Sequence, residues 1–126
     1  MVISTSEIME GLHTDTIVLV DARAPKRFNG ELEAIDSVAG HIPGAVNYPF
    51  DANLYPDGIF RPAEQLKNGM LPLAGDHDAK NLVHMCGSGV TACHNIFATE
   101  LAGLEGSKLY VGSWSEWIRD PSRPVG

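Results

Sequence analysis

Two short aliphatic runs limit the folds open to this chain. Ile17-Val18-Leu19-Val20 is too short for a helix and apolar throughout, and Leu82-Val83-His84-Met85 is its counterpart further along. A strand with no polar face belongs inside a parallel sheet that helices cover on both sides. The segments around these runs alternate accordingly. Ser4 and Glu7 form a capping box that opens a helix through Leu12. Pro25 starts a short helical turn that ends near Gly30, and Ala45 to Tyr48 is a strand candidate. Pro62 opens a helix as its first residue, and Pro72 to Asp78 is read as loop. Ala92 to Leu101 has helical spacing, with Ala92, Ile96, Phe97 and Leu101 as its apolar face, and Gly103 stops it. Leu109-Tyr110-Val111 is a last strand, and Ser113 caps a helix to Ile118. The expectation is one α/β domain over residues 1–126, with a mostly parallel sheet of about five strands and helices on both faces.

Length and charge narrow the function. A chain of 126 residues suits one domain and can bury a core without disulfides. Its net charge of −7 argues against nucleic acid and against an anionic membrane surface. Anionic ligands must then be met by a few placed cations. The first twelve residues lack the apolar stretch of a signal peptide. No run approaches the roughly 20 apolar residues that span a bilayer. The resulting expectation is a cytoplasmic protein, or a piece of a longer one.

The two cysteines, Cys86 and Cys93, do not suggest a disulfide framework. No Cys-x-x-Cys pair is present, and His13, His41, His77, His84 and His94 lack metal-ligand spacing. No metal or organic cofactor is implied.

The segment with chemical character is Cys86-Gly87-Ser88-Gly89-Val90-Thr91, a turn from a strand into a helix. Ligands of open parallel sheets bind at the carboxyl ends of strands. Two glycines let successive backbone N–H groups converge there, and the helix adds its positive end. Such a place stabilises a thiolate or a persulfide anion on Cys86. The plain alternative is a buried structural thiol. Cys93, inside the helix, is read as packed.

The turn resembles the active-site loop of 3-mercaptopyruvate sulfurtransferases in the rhodanese superfamily, whose thiosulfate-type members usually carry Cys-Arg-Lys-Gly-Val-Thr. Other segments agree in the same order: Val20-Asp21-Ala22-Arg23, Arg27-Phe28-Asn29-Gly30, Gly40-His41-Ile42-Pro43-Gly44-Ala45-Val46-Asn47, and Gly112-Ser113-Trp114-Ser115-Glu116-Trp117. The resemblance is to the C-terminal, catalytic domain of a two-domain enzyme. It implies that Cys86 takes sulfur from a donor as a persulfide and passes it to an acceptor, with ping-pong kinetics. It implies that backbone N–H groups of Gly87, Ser88, Gly89, Val90 and Thr91 hold the anionic sulfur, and that Ser88 assists proton transfer to the leaving enolate. It makes Arg27 the substrate arginine, whose fork suits a carboxylate; the alternative for Arg27 is a solvated helix residue. Asp21 and Arg23 brace the loop, His41 is structural and Trp114 fills the core.

The neutral Gly87 and Ser88 favour 3-mercaptopyruvate over dianionic thiosulfate. The chain also departs from the family pattern. A second substrate arginine often lies between the Arg-Phe-x-Gly and Gly-His-Ile-Pro motifs, but Glu31 to Ala39 holds no Arg or Lys. Val111 stands where the family usually has Asp before Gly-Ser-Trp. The His and Asp of the family's serine relay belong to the N-terminal domain and have no counterpart here.

Thiosulfate sulfurtransfer and a persulfide relay module therefore stay beside the mercaptopyruvate reading. A rhodanese-fold phosphatase or arsenate reductase needs Cys-x5-Arg, and the sixth residue after Cys86 is Ala92. The partners implied are a small-molecule sulfur donor and a thiol acceptor such as thioredoxin or glutathione, while oligomeric state is left open.

Overall fold

The computed structural model describes residues 2–31, 37–87 and 91–126. Helix α1 runs Thr5–His13 behind the expected capping box: Ser4 Oγ accepts the Glu7 N–H at 3.2 Å, and Glu7 Oε1 accepts the Ser4 N–H at 3.1 Å. Strand β1 (Val18–Asp21) and the short helix α2 (Pro25–Phe28) follow. Ile42-Pro43-Gly44-Ala45 is a tight turn, closed by Ala45 N–H on the Ile42 carbonyl at 3.0 Å, with Gly44 at φ +92°. That φ favours glycine, and proline suits the preceding position. Strand β2 is Val46–Asn47, β3 is Leu82–Met85 and β4 is Lys108–Leu109.

These form a parallel sheet in the order β2-β1-β3-β4. Among the described residues its strands number four, one fewer than expected. Val2 supplies a fifth extended segment only as a single parallel bridge to Leu109. Register is fixed over β1 and β3, from Val18 opposite Leu82 to Asp21 opposite Met85.

The pleat sends alternate side chains to opposite layers. Leu19, Val83 and Met85 join Ile3, Ile8, Ile42, Tyr110, Trp114 and Trp117 under α1 and under α5 (Ser113–Trp117). Val20 and Leu82 meet Ala74 of α3 (Ala63–Ala74) on the other face. Burying one such large aliphatic side chain contributes about 1.5–3 kcal/mol, which lets four residues suffice in the buried strands β1 and β3.

Two elements differ from expectation. Helix α3 runs through Pro72 to Ala74, where a loop was expected. Pro72 cannot donate to the Asn68 carbonyl one turn back, but only two residues follow it before Gly75 ends the helix at φ +57°, and one of them, Ala74, is buried. Helix α4 (Ala92–Leu101) buries Ala92, Asn95, Ala98 and Thr99, while Phe97 and Leu101 are exposed. Small residues permit close approach to α3 and the sheet. The polar ones are satisfied: Asn95 Nδ2 donates to the Tyr48 carbonyl at 3.0 Å, and Thr99 Oγ1 donates to the Ile96 carbonyl at 2.7 Å. Among the described residues, no helix is long and apolar enough to cross a membrane.

Candidate active site

Cys86 follows directly on β3, at the carboxyl edge of the sheet. Its side chain is 1% exposed and clusters with Ala22, Ala92, Phe50 and Leu109. The neighbouring strand reaches the same edge, since Ala22 N–H donates to the Met85 carbonyl at 2.8 Å. Gly87 is half-buried, and Thr91 stands at the N-terminal end of α4. Ser88, Gly89 and Val90 lie outside the described residues.

The base of this turn is tied to α5. Cys86 N–H donates to Ser113 Oγ at 3.1 Å, and Ser113 Oγ donates to the Tyr110 carbonyl at 2.7 Å. Trp114 N–H reaches the Cys86 carbonyl at 3.0 Å. The Gly87 carbonyl accepts both Ser115 N–H at 2.8 Å and Ser115 Oγ at 2.7 Å. Ser113 is therefore not the helix cap that the sequence suggested. It is the first residue of α5, at φ +53°, and its hydroxyl serves the turn instead. Ser115 was legible only as part of the Gly-Ser-Trp-Ser-Glu-Trp motif, without a role.

Asp21 and Arg23 form a fully buried ion pair at 2.8 Å. Arg23 Nη2 also donates to the Gly40 carbonyl at 2.7 Å, and its guanidinium lies 4.8 Å from the centre of the Trp114 ring. The pair thus meets the turn through Trp114. That indole is buried and donates from Nε1 to the Val38 carbonyl at 2.9 Å. Arg27 is half-buried on α2, the helix that leaves β1 at the same sheet edge as Cys86. Asn47 Nδ2 fastens that departure, donating to the Asp21 and Arg23 carbonyls at 3.0 and 2.9 Å.

Two histidines of α4 and β3 gained no role from the sequence. Asn53 Nδ2 donates to His94 Nδ1 at 3.3 Å, which leaves the hydrogen on Nε2 of the neutral ring. His94 stacks on Phe60, with centroids 4.7 Å apart, and meets the edge of Phe50, a neighbour of Cys86. Burial holds its pKa below the usual value. His84 is wholly buried, and neither ring nitrogen has a hydrogen-bond partner among the described residues. Desolvation pushes its pKa down to about 4, so the ring is neutral at ordinary pH. Cys93 is exposed rather than packed, because it faces away from the stripe that α4 buries. Among the described residues, no group of three His, Cys, Asp or Glu could hold a metal ion.

A parallel sheet with a cysteine turn between β3 and α4 places the chain in a known class. Residues 4–120 match the rhodanese-like domain, and the chain belongs to that family. It is 51% identical, over 99% of its length, to the probable 3-mercaptopyruvate sulfurtransferase of Pseudomonas aeruginosa, and covers 44% of that protein. It is 47% identical, over 87% of its length, to a putative thiosulfate sulfurtransferase of Mycobacterium tuberculosis, of which it covers 38%. The solved Tum1 protein of Saccharomyces cerevisiae superposes with a TM-score of 0.81 at 28% identity, over 98% of this chain and 44% of that one. The chain therefore spans less than half the length of the relatives it matches.

Proposed function

We propose that this chain is a sulfurtransferase domain that loads sulfur from 3-mercaptopyruvate onto Cys86 and delivers it to a thiol. The observation that carries this reading is the position of Cys86: the end of a central parallel strand, followed by a glycine and then a helix, with its backbone anchored by Ser113 and Trp114 and that of Gly87 by Ser115.

The Cys86 thiolate attacks the donor sulfur and a new S–S bond forms. The donor C–S bond breaks, and its electron pair leaves on carbon as the enolate of pyruvate, which takes a proton. Cys86 now carries the persulfide. An acceptor thiolate attacks the outer sulfur, the S–S bond breaks, and Cys86 returns as thiolate while the acceptor leaves as a persulfide. Arg27 would hold the donor carboxylate in its guanidinium fork. Backbone N–H groups of residues 87–91 would hold the anionic sulfur, and Ser88 would pass the proton.

The Pseudomonas relative's name supports this donor, and the neutral Gly87 and Ser88 agree with it. The Mycobacterium relative's name supports thiosulfate as the alternative. The stretch from Glu31 to Ala39, which holds no Arg or Lys, supports a second alternative, a relay module that receives sulfur from a partner. Intact mass after incubation with each donor separates the readings. Gain of one sulfur atom with mercaptopyruvate alone, abolished by Cys86→Ser, is the expected result. Gain with thiosulfate alone would reassign the donor, and gain with neither would sink the stand-alone enzyme.

A further inference from the structure

We infer that His41 is a positioning residue for donor binding, acting through α2 on Arg27; the inference rests on Arg27 as the carboxylate clamp. Helix α2 has only the four residues Pro25–Phe28, no buried residue and no side-chain cap. A helix that short cannot fix its own direction. Its far end is gripped by one ring. His41 stacks on Phe28 with centroids 4.0 Å apart and planes within 12°. His41 Nδ1 also lies 2.8 Å from the Phe28 carbonyl. A carbonyl oxygen only accepts, so Nδ1 carries the hydrogen. One side chain thus holds Phe28 by both ring and backbone, and Phe28 adjoins Arg27.

His41 is itself anchored. Gly126 N–H donates to the His41 carbonyl at 2.7 Å, and His41 N–H reaches the Gly126 carbonyl at 3.4 Å. Residues 123–126 are pinned in turn by Trp117 Nε1 on the Pro124 carbonyl at 2.8 Å and by Arg123 Nη1 on the Glu116 carbonyl at 2.9 Å. Gly40 sits at φ +117°, and a Cβ there would lie 2.6 Å from the Gly126 carbonyl oxygen. The Gly40 carbonyl holds Arg23, while the next side chain holds α2. Freeing α2 at Phe28 would shift the backbone position from which Arg27 projects. Donor capture would suffer, whereas the chemistry at Cys86, anchored separately by α5, would not.

The test compares His41→Ala, His41→Phe (ring without the bond) and His41→Asn (a donor near Nδ1 without the ring), each alone and combined with Arg27→Gln. Two quantities are read: the mercaptopyruvate concentration that half-saturates sulfur loading in a single turnover, and the limiting loading rate. A third readout is the NMR resonance of Arg27 Nε–H, assigned by its loss in Arg27→Lys. His41→Ala is expected to raise half-saturation about tenfold with the limiting rate changed less than about twofold, and to shift the Arg27 resonance. His41→Asn is expected to recover part of both. With Arg27→Gln already present, His41→Ala is expected to add nothing. Full additivity of the two substitutions, or an unmoved Arg27 resonance in both His41→Ala and His41→Asn, would overturn the inference. If Arg27→Gln alone leaves half-saturation unchanged, the clamp assignment itself fails, and the inference falls with it.

Discussion

The Ser113 hydroxyl holds the backbone of Cys86, accepting its N–H at 3.1 Å while donating to the Tyr110 carbonyl at 2.7 Å. Both partners are buried, so removing the hydroxyl strands a donor and an acceptor away from water. Ser113→Ala is expected to cost about 2 kcal/mol. For a chain of this size that lowers Tm by about 8 °C. Ser113→Gly loses the same hydroxyl but accommodates φ +53°, and is expected to be the milder change. Thermal melts of the two variants check this. An alanine variant as stable as wild type would mean that the bond to Cys86 contributes nothing.

The Asp21–Arg23 pair has almost no contact with solvent. Removing one partner leaves the other charge buried and uncompensated, which costs about 3–5 kcal/mol. Asp21→Ala is thus expected to be among the most damaging single changes in the chain. Replacing both residues with apolar ones of similar size is expected to cost less than Asp21→Ala alone. Denaturant titration of the single and double variants decides it, and equal loss in both would argue against charge burial as the cause.

Much of this architecture was readable in advance because it depends on local pattern. The Ser4–Glu7 box, the aliphatic runs and the turn at Gly44 are short-range signals, and each became the expected element. What stayed hidden depends on neighbours distant in sequence. Phe97 and Leu101 fit a helical apolar face, yet the contact with α3 and the sheet selected Asn95 and Thr99 instead. The partners of Asn95, Asn53 and Tyr48, lie more than forty residues away. Ser113 looked like a cap because serine before a helix usually is one, but its hydroxyl is drawn to Cys86, 27 residues earlier. Of the candidate site, the cysteine segment was legible by resemblance, whereas the bonds from Ser113, Trp114 and Ser115 to the Cys86–Gly87 backbone were not.

His84 ties stability to pH. Its pKa falls from 6.5 in a solvated chain to about 4 in the fold, through desolvation. Above pH 6.5 the ring is neutral in both states and adds no pH dependence. As pH drops below 6.5 the unfolded chain takes up a proton that the folded chain refuses, so stability falls until about pH 4. The loss from this one ring approaches about 3 kcal/mol at the bottom of the window. The shift of His94 has the same sign. Melting curves from pH 7 to pH 4 for wild type and His84→Leu check the effect: the difference between them isolates His84, and the variant is expected to give the flatter profile. Parallel profiles would refute the assignment.

Cys93 occupies the second position of α4 with its side chain exposed, whereas Cys86 is buried. Substitutions at such surface positions usually change stability by no more than about 0.5 kcal/mol. Cys93→Ser is therefore expected to melt close to wild type and to take up sulfur to the same extent. Access also separates the two thiols toward alkylating reagents. In the native chain without donor, peptide mapping is expected to find the first label on Cys93. After loading with donor, the added sulfur is expected on the peptide that contains Cys86, in both wild type and Cys93→Ser. Sulfur found on Cys93 in the wild type, or uptake lost in Cys93→Ser, would transfer the chemistry from the sheet-edge turn to the helix surface.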